Sequence, residues 1–292
     1  MSQAKLLDGK TVARAILSAL GPDIAALRKA RGRAPKLAVV SFGDDRSARS
    51  YRLAKFKACA QAGLLAEARS LAGRTEDEAL NFISRLGGDP GVDGIIVERP
   101  LPKGIAPAAV FSAIAPAKDV EGVNPVNYGR FFLAKTAAEI AAAGVFPPCT
   151  VAAIAALLRE TGVHAAGREA VVVGRSEIVG RPAAHYLSAL DATVTLCHSK
   201  TADLPGHVRR ADIVVACLGR ARFIRGSWIK PGAVVIDAGM NRRGEGWVGD
   251  VEFEEAASGA AFITPVPGGV GPVTTAVVLA NTVYAAQRQT AA

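Results

Sequence analysis

The sequence predicts an α/β protein built from two domains. Three observations carry that reading. Short apolar runs rich in β-branched residues alternate with helical patterns along almost the whole chain. A glycine-bounded turn, Gly174–Gly180, joins one such run to a helix, and the paired Pro147 and Pro148 interrupt the series at a composition shift. The 292 residues suffice for one large or two smaller domains, and half are hydrophobic while 21% are charged, a globular balance. Only 5% are aromatic, so the core must be made from Ala, Val, Leu and Ile.

In chain order, Lys36–Phe42 reads as a strand and Arg46–Gly63 as a helix closed by its glycine. Gly94–Val97 reads as a second strand, followed by the proline-rich turn PLPKGIAP, a loop containing Lys118–Asn127 and a further helical stretch. After the break at Phe146-Pro147-Pro148 come a helix over Val151–Thr161, a strand over Glu169–Val173 and the turn GRSEIVG. Strands at Ala192–Leu196, Asp212–Ala216 and Val234–Asp237 follow, and Val273–Ala286 forms an apolar helix after PVPGGVGP. Short apolar strands spaced by helices predict a parallel sheet covered on both faces. The expected domains are 1–146, joined by the carboxy-terminal helix 273–292, and 147–272.

Thirty-five Lys and Arg against 26 Asp and Glu leave a net charge of +9. That excess suits a small anionic substrate or a phosphorylated cofactor as well as a polyanion. The positive residues are spread out, without the dense basic run and interleaved aromatics of a nucleic-acid module. No apolar run approaches the ~18–20 residues of a membrane span, and MSQAKLLDGK lacks the apolar core of a signal peptide. A cytoplasmic protein is expected. Cys59, Cys149, Cys197 and Cys217 form no CxxC pair, and the four histidines form no HExxH, so free buried thiols and no metal are expected.

The turn Gly174-Arg175-Ser176-Glu177-Ile178-Val179-Gly180 puts backbone N–H groups at a helix start, a setting that suits a pyrophosphate. It departs from GxGxxG at Ser176, and alone it is a weak signal. The next strand ends in Cys197-His198-Ser199-Lys200, where an NAD-binding domain would carry a carboxylate for the ribose hydroxyls. Arg175 and Lys200 are cations and Ser199 is a donor, so charge favours NADP over NAD.

Tyr51 and Lys55, four apart, share one face of the predicted helix. A partly desolvated Lys near a phenol can carry protons, although such a pair by itself is usually ordinary surface. The same spacing occurs in short-chain dehydrogenases, but there it follows the cofactor turn, whereas here it precedes it. Val97-Glu98-Arg99-Pro100-Leu101-Pro102 ends a strand, the edge at which open α/β sheets place ligands. Lys118-Asp119-Val120-Glu121-Gly122 sets three charges before a glycine. Pro265–Pro272 combines fixed φ values with glycines that let a ligand approach the backbone.

Taken in order, YRLAKFKACAQAG, DGIIVERPLP, KDVEGVNPVN, PCT, VVVGRSEIVGRP, TVTLCHSKTADL, ADIVVACLG, KPGAVVIDAG and TPVPGGVGPVT resemble the bifunctional methylenetetrahydrofolate dehydrogenase/methenyltetrahydrofolate cyclohydrolase family. The likeness runs from LLDGK at Leu6–Lys10 to Asn281. It implies an amino-terminal α/β catalytic domain, a Rossmann-type NADP domain, a cleft between them and a homodimer. It implies NADP-dependent oxidation of 5,10-methylenetetrahydrofolate, followed by hydrolysis to 10-formyltetrahydrofolate in one site. By position, the resemblance implies that Tyr51 is the folate-stacking residue and Lys55 the proton carrier. Arg175, Ser176 and Ser199, beside Gly174, match the residues that hold NADP in the family, with Arg175 and Ser199 on its 2′-phosphate. Met240 falls where the family's backbone meets the nicotinamide. Pro267, Gly268 and Gly269 line the folate and nicotinamide pocket.

The departures cluster near that chemistry. The family carries VQLPLP where this chain has VERPLP, placing Glu98 for Gln, and KDVDG where this chain has KDVEG, placing Glu121 for Asp. The Ser three before Tyr51 is Ala48, and PCTPxG becomes Cys149-Thr150-Val151-Ala152-Ala153. A carboxylate within ~4–6 Å of Lys55 would favour its ammonium form and so weaken it as a base. The expectation is therefore an intact dehydrogenase with a weakened cyclohydrolase, Glu121 reaching the pterin by a side chain one methylene longer. Glu98 acting as the base itself, or pairing with Arg99 and sparing Lys55, are the alternatives. A member with dehydrogenase activity only, a folate binder without catalysis, and an NADP oxidoreductase on a shikimate dehydrogenase-like scaffold are the competing functions. The last leaves YxxxK, KDVEG and PVPGGVGP unexplained.

Overall fold

A computed structural model describes residues 3–43 and 46–291, without the side chains of 46–51 and 291. The strands in chain order are β1 (Lys5–Leu6), β2 (Lys36–Ser41), β3 (Leu65–Ser70), β4 (Gly94–Val97), β5 (Glu169–Val173), β6 (Thr193–Cys197), β7 (Ile213–Ala216), β8 (Val234–Asp237), β9 (Asn241–Arg243), β10 (Gly246–Val248) and β11 (Phe262–Ile263). By its internal contacts the chain divides into two compact units. One is Met1–Ala13 with Phe132–Thr274, the other Arg14–Phe131 with Thr275–Ala292.

The first unit is built on a six-stranded sheet ordered β1-β11-β8-β7-β5-β6, parallel throughout. Val171–Val173, Ile213–Ala216 and Val234–Ile236 are buried, as strands covered on both faces must be. Helix Cys149–Glu160 presents Ala153, Ala155 and Ala156 among its buried residues, small side chains that permit close approach without aromatic filler. The sheet grows in opposite directions from the β5/β7 pair, and the carboxyl edge at such a reversal is where α/β folds receive ligands. A β9–β10 hairpin stands apart from this sheet.

The second unit has a parallel sheet ordered β3-β2-β4. Leu37–Val40 and Ile95–Val97 are buried in it. Asp93, just before β4, is buried and takes Arg33 at 2.6 Å and Arg31 at 2.7 Å, with the Lys36 N–H at 2.8 Å. Helix Glu76–Gly88 begins with a capping box between Thr75 and Glu78. The long helix Val270–Ala291 gives its residues from Thr275 onward to this unit. There Gln289 donates to the Asp93 carbonyl at 3.0 Å, and Arg31 to the Ala286 carbonyl at 3.3 Å.

These divisions differ from the partition at 146/147 and 272/273. Residues 1–13 were expected in the first domain, yet β1 pairs with β11 in the other sheet. A two-residue strand has too little pattern to read, and its partner lies near the opposite end of the chain. Edge strand β3 was also missed, because LAEARS mixes charges with apolar residues where a buried strand would be uniformly apolar. Among the described residues, no helix is long and apolar enough to cross a membrane.

Candidate active site

Lys55 projects from helix Arg46–Ala62 and meets Glu98, the residue after β4. Lys55 Nζ stands 3.4 Å from Glu98 Oε1. Glu98 also continues the ladder, its N–H donating to the Val40 carbonyl at 2.8 Å, so its backbone is fixed by the sheet. Its side chain is only 8% exposed and is shared with Arg52, whose Nε and terminal amine approach Oε2 at 3.0 and 2.9 Å. Arg99 takes no part in this cluster of three: its guanidinium lies 3.7 Å from Glu121 Oε1. The pairing of Glu98 with Arg99 is thereby corrected, since each arginine has its own carboxylate. Beside Glu98 a hollow of about 190 Å³ is lined by Ser41, Phe42, Gly43 and Arg99–Pro102. Tyr51 belongs to the same helix, but its side chain lies outside the described residues.

Glu121 reaches this neighbourhood because its loop runs parallel to β4, with Ile95 bridged to Asp119. Glu121 Oε2 is buried without a hydrogen-bond partner. Burial pushes its carboxyl above the ordinary range, and the positive charges of Arg99 and Lys55 offset this only in part. The other charges of KDVEG are structural. Lys118 Nζ donates to the Leu86 and Asp89 carbonyls, closing the end of helix Glu76–Gly88. Asp119 accepts from the N–H groups of Val123 and Asn124 and from the Asn127 amide. Asn281 donates to the Val120 carbonyl at 2.9 Å.

In the other unit, the glycine turn follows β5 at the reversal of the sheet. Gly174 has φ +133°, and a Cβ there would lie 2.3 Å from the Cys217 carbonyl oxygen after β7. A Cβ on Gly180 would lie 2.1 Å from the Gly174 oxygen. Both glycines are therefore demanded by backbone packing, which also brings helix Gly180–Ala189 close to the strand end. Ser176 Oγ accepts from the Val179 and Gly180 N–H groups at 3.3 Å and caps that helix. Val173 is in register with Cys197, so Arg175 and Ser199 each stand two residues beyond a paired position on one edge. Arg175, Ser199 and Lys200 are exposed there. Two cations and a hydroxyl, with no carboxylate among residues 197–200, suit a phosphorylated ribose.

Met240, 40% exposed, follows β8 on the same edge. Asp237 and Asp250 lie beneath: Asp250 accepts from the N–H groups of Leu218, Gly219 and Arg220, and Asp237 from those of Gly239, Asp250 and Val251. In PVPGG, Gly268 has φ +109°, and Gly269 is buried against Gly9, where a Cβ would fall 1.7 Å from the Gly269 oxygen. Pro267 remains exposed. Cys59, Cys149 and Cys197 are buried free thiols, and Cys217 is half-buried. Among the described residues, no cluster of three His, Cys, Asp or Glu could hold a metal. A larger hollow of about 460 Å³, beside Leu158, His164 and Tyr186, is lined by none of the expected site residues.

Comparison with known proteins assigns both halves. Residues 7–121 match the catalytic domain of tetrahydrofolate dehydrogenase/cyclohydrolase, and residues 148–290 its NAD(P)-binding domain. The chain belongs to the tetrahydrofolate dehydrogenase/cyclohydrolase family. It is 48% identical over 287 residues to the bifunctional protein FolD of Pelobacter propionicus, covering 98% of each chain. Among solved structures it is similar to the bifunctional FolD of Campylobacter jejuni, at 38% identity and TM-score 0.91, covering 98% of this chain and 99% of that one. It is also similar to the Trypanosoma brucei methylenetetrahydrofolate dehydrogenase-cyclohydrolase solved with NADP and an inhibitor, at 37% identity, TM-score 0.93 and full coverage of both chains. The family's two-domain α/β architecture, an amino-terminal catalytic domain and a Rossmann-like NADP-binding domain, is thus that of this chain.

Sequence reasoning missed Arg52, Asn281 and Gly9. Arg52 stands one residue from Tyr51 and three from Lys55, so its helical spacing already put it on the Lys55 face. Gly9 lies in LLDGK and Asn281 ends the family likeness, but each acts on a segment far away in the chain, so local pattern gives neither its role.

Proposed function

We propose that the protein oxidises 5,10-methylenetetrahydrofolate with NADP and hydrolyses the methenyl product to 10-formyltetrahydrofolate, the second step being slowed by Glu98. The observation that carries this reading is the ion pair of Lys55 with Glu98, in a chain whose family performs both steps. NADP when bound supplies a hydride acceptor, and Arg175, Ser199 and Lys200, with the helix start at Gly180, are the groups that would hold its phosphates. Their exposure, their two charges and their common edge support NADP over NAD. Met240, Pro267, Gly268 and Gly269 are assigned to the nicotinamide and folate surroundings.

In the hydrolysis, water adds to the one-carbon bridge, the ring nitrogen departs and one proton is released overall. Lys55 in its neutral form takes a proton from the water and returns it to the nitrogen. The Glu98 carboxylate stands 3.4 Å from that amine, an opposite charge that opposes its work as a base. Glu121, with its unpartnered buried Oε2, is the group aimed at a polar N–H of the pterin, and Tyr51 is assigned to stacking on it. The reading includes a cytoplasmic homodimer.

Parallel assays of one pure sample test the proposal. Wild type should form NADPH from methylenetetrahydrofolate, and Glu98→Gln should raise the ratio of hydrolysis to oxidation about tenfold. A wild type that reduces no nucleotide sinks the function, and a ratio unmoved by Glu98→Gln sinks the role of Glu98.

A further inference from the structure

Glu98 would hold Lys55 exclusively if the two faced each other alone. They do not. Arg52 makes two contacts to Oε2, at 2.9 and 3.0 Å, whereas Lys55 makes one to Oε1 at 3.4 Å, beyond the usual range of N–H···O bonds. Charge-assisted bonds from a guanidinium are short and strong, and arginine keeps its charge at any working pH. Arg52 is also tethered at its other end, donating to the Gly43 carbonyl at 3.3 Å. Its side chain is 12% exposed, so the pairing takes place largely out of water, where it is poorly screened.

We infer that Arg52 is a positioning residue that takes up part of the charge of Glu98 and so moderates its pull on the Lys55 amine. This rests on the reading of Lys55 as proton carrier and adds to it the partner that moderates Glu98. Among the described residues, the charged and titratable groups around Lys55 are Glu98 after β4, Glu121 and Arg99 from the adjoining loops, and Arg52 and Cys59 from its own helix. Glu121 is already paired with Arg99, so Glu98 is the carboxylate that Arg52 and Lys55 share. In VERPLP the two adjacent charges, Glu98 and Arg99, each have an opposite partner within 4 Å.

The test is a cycle of Arg52→Gln, Glu98→Gln and the double variant, each checked for folding by thermal melting. In Arg52→Gln the whole charge of Glu98 falls on Lys55, and the ratio of hydrolysis to oxidation should drop about tenfold. Adding Glu98→Gln should restore it, which loss of a merely structural contact would not allow. A second readout is independent of any folate chemistry: labelling of Lys55 by an amine-reactive acylating reagent at mildly alkaline pH, followed by peptide mass spectrometry. Labelling should slow about tenfold in Arg52→Gln and recover in the double variant. Unchanged labelling in Arg52→Gln, or a double variant as slow as the single one, overturns the inference even if wild type turns over no folate.

Discussion

Asn281 donates its side-chain amide to the Val120 carbonyl across 2.9 Å, tying the carboxy-terminal helix to the residue before Glu121. The helix thus fixes one flank of the KDVEG loop, while Asp119 fixes it from within through three accepted hydrogen bonds. Asn281→Ala leaves a buried carbonyl short of its donor, at a cost of about 1–2 kcal/mol. A lowered melting temperature together with a raised KM for the folate is expected. An unchanged KM would separate this tether from the site.

Glu121→Gln isolates the effect of burial. Because the folded carboxyl titrates above its unfolded value, wild type loses stability as pH rises from about 4.5 upward. The glutamine variant has no such group, so its melting temperature relative to wild type should climb with pH over that window. Melting curves across a pH series check this, and a difference that falls with pH would contradict it.

Arg175→Ala should weaken NADP about tenfold or more through loss of a charge-assisted contact to the 2′-phosphate, leaving NAD nearly untouched. Steady-state KM values for the two nucleotides supply the comparison. Equal losses would mean that Arg175 serves the turn and not the phosphate.

Burial pushes the Asp93 carboxyl up, but Arg33, the Lys36 N–H and Arg31 outweigh it and hold the group below its ordinary value. Its contribution to stability is therefore present above about pH 4 and lost as pH falls through the folded value. Asp93→Asn leaves two guanidinium groups without their carboxylate and should cost about 3 kcal/mol at neutral pH. Chemical denaturation should show the deficit shrinking in acid. A constant deficit would point to shape and not to charge.

Much of the architecture was legible because buried parallel strands announce themselves. Glu169–Val173, Val234–Asp237 and Gly94–Val97 are compact apolar runs, and the structure places strands over those same residues. The strands that local pattern does not mark are the short β1 and β11, the mixed edge strand β3 and the β9–β10 hairpin, whose neighbours and not their composition make them strands.

By itself the sequence determined the α/β class, the strand–turn–helix at Gly174–Gly180, the family likeness and the presence of charges at Glu98, Arg99 and Glu121. Local pattern suffices for these, since periodicity and residue type are properties of neighbouring positions. Only the tertiary structure decided who pairs with whom: Glu98 with Arg52 and Lys55, Arg99 with Glu121, Lys118 and Asp119 with backbone groups. Electrostatic interaction depends on separations of a few ångströms and on burial, and both are set when distant segments fold together.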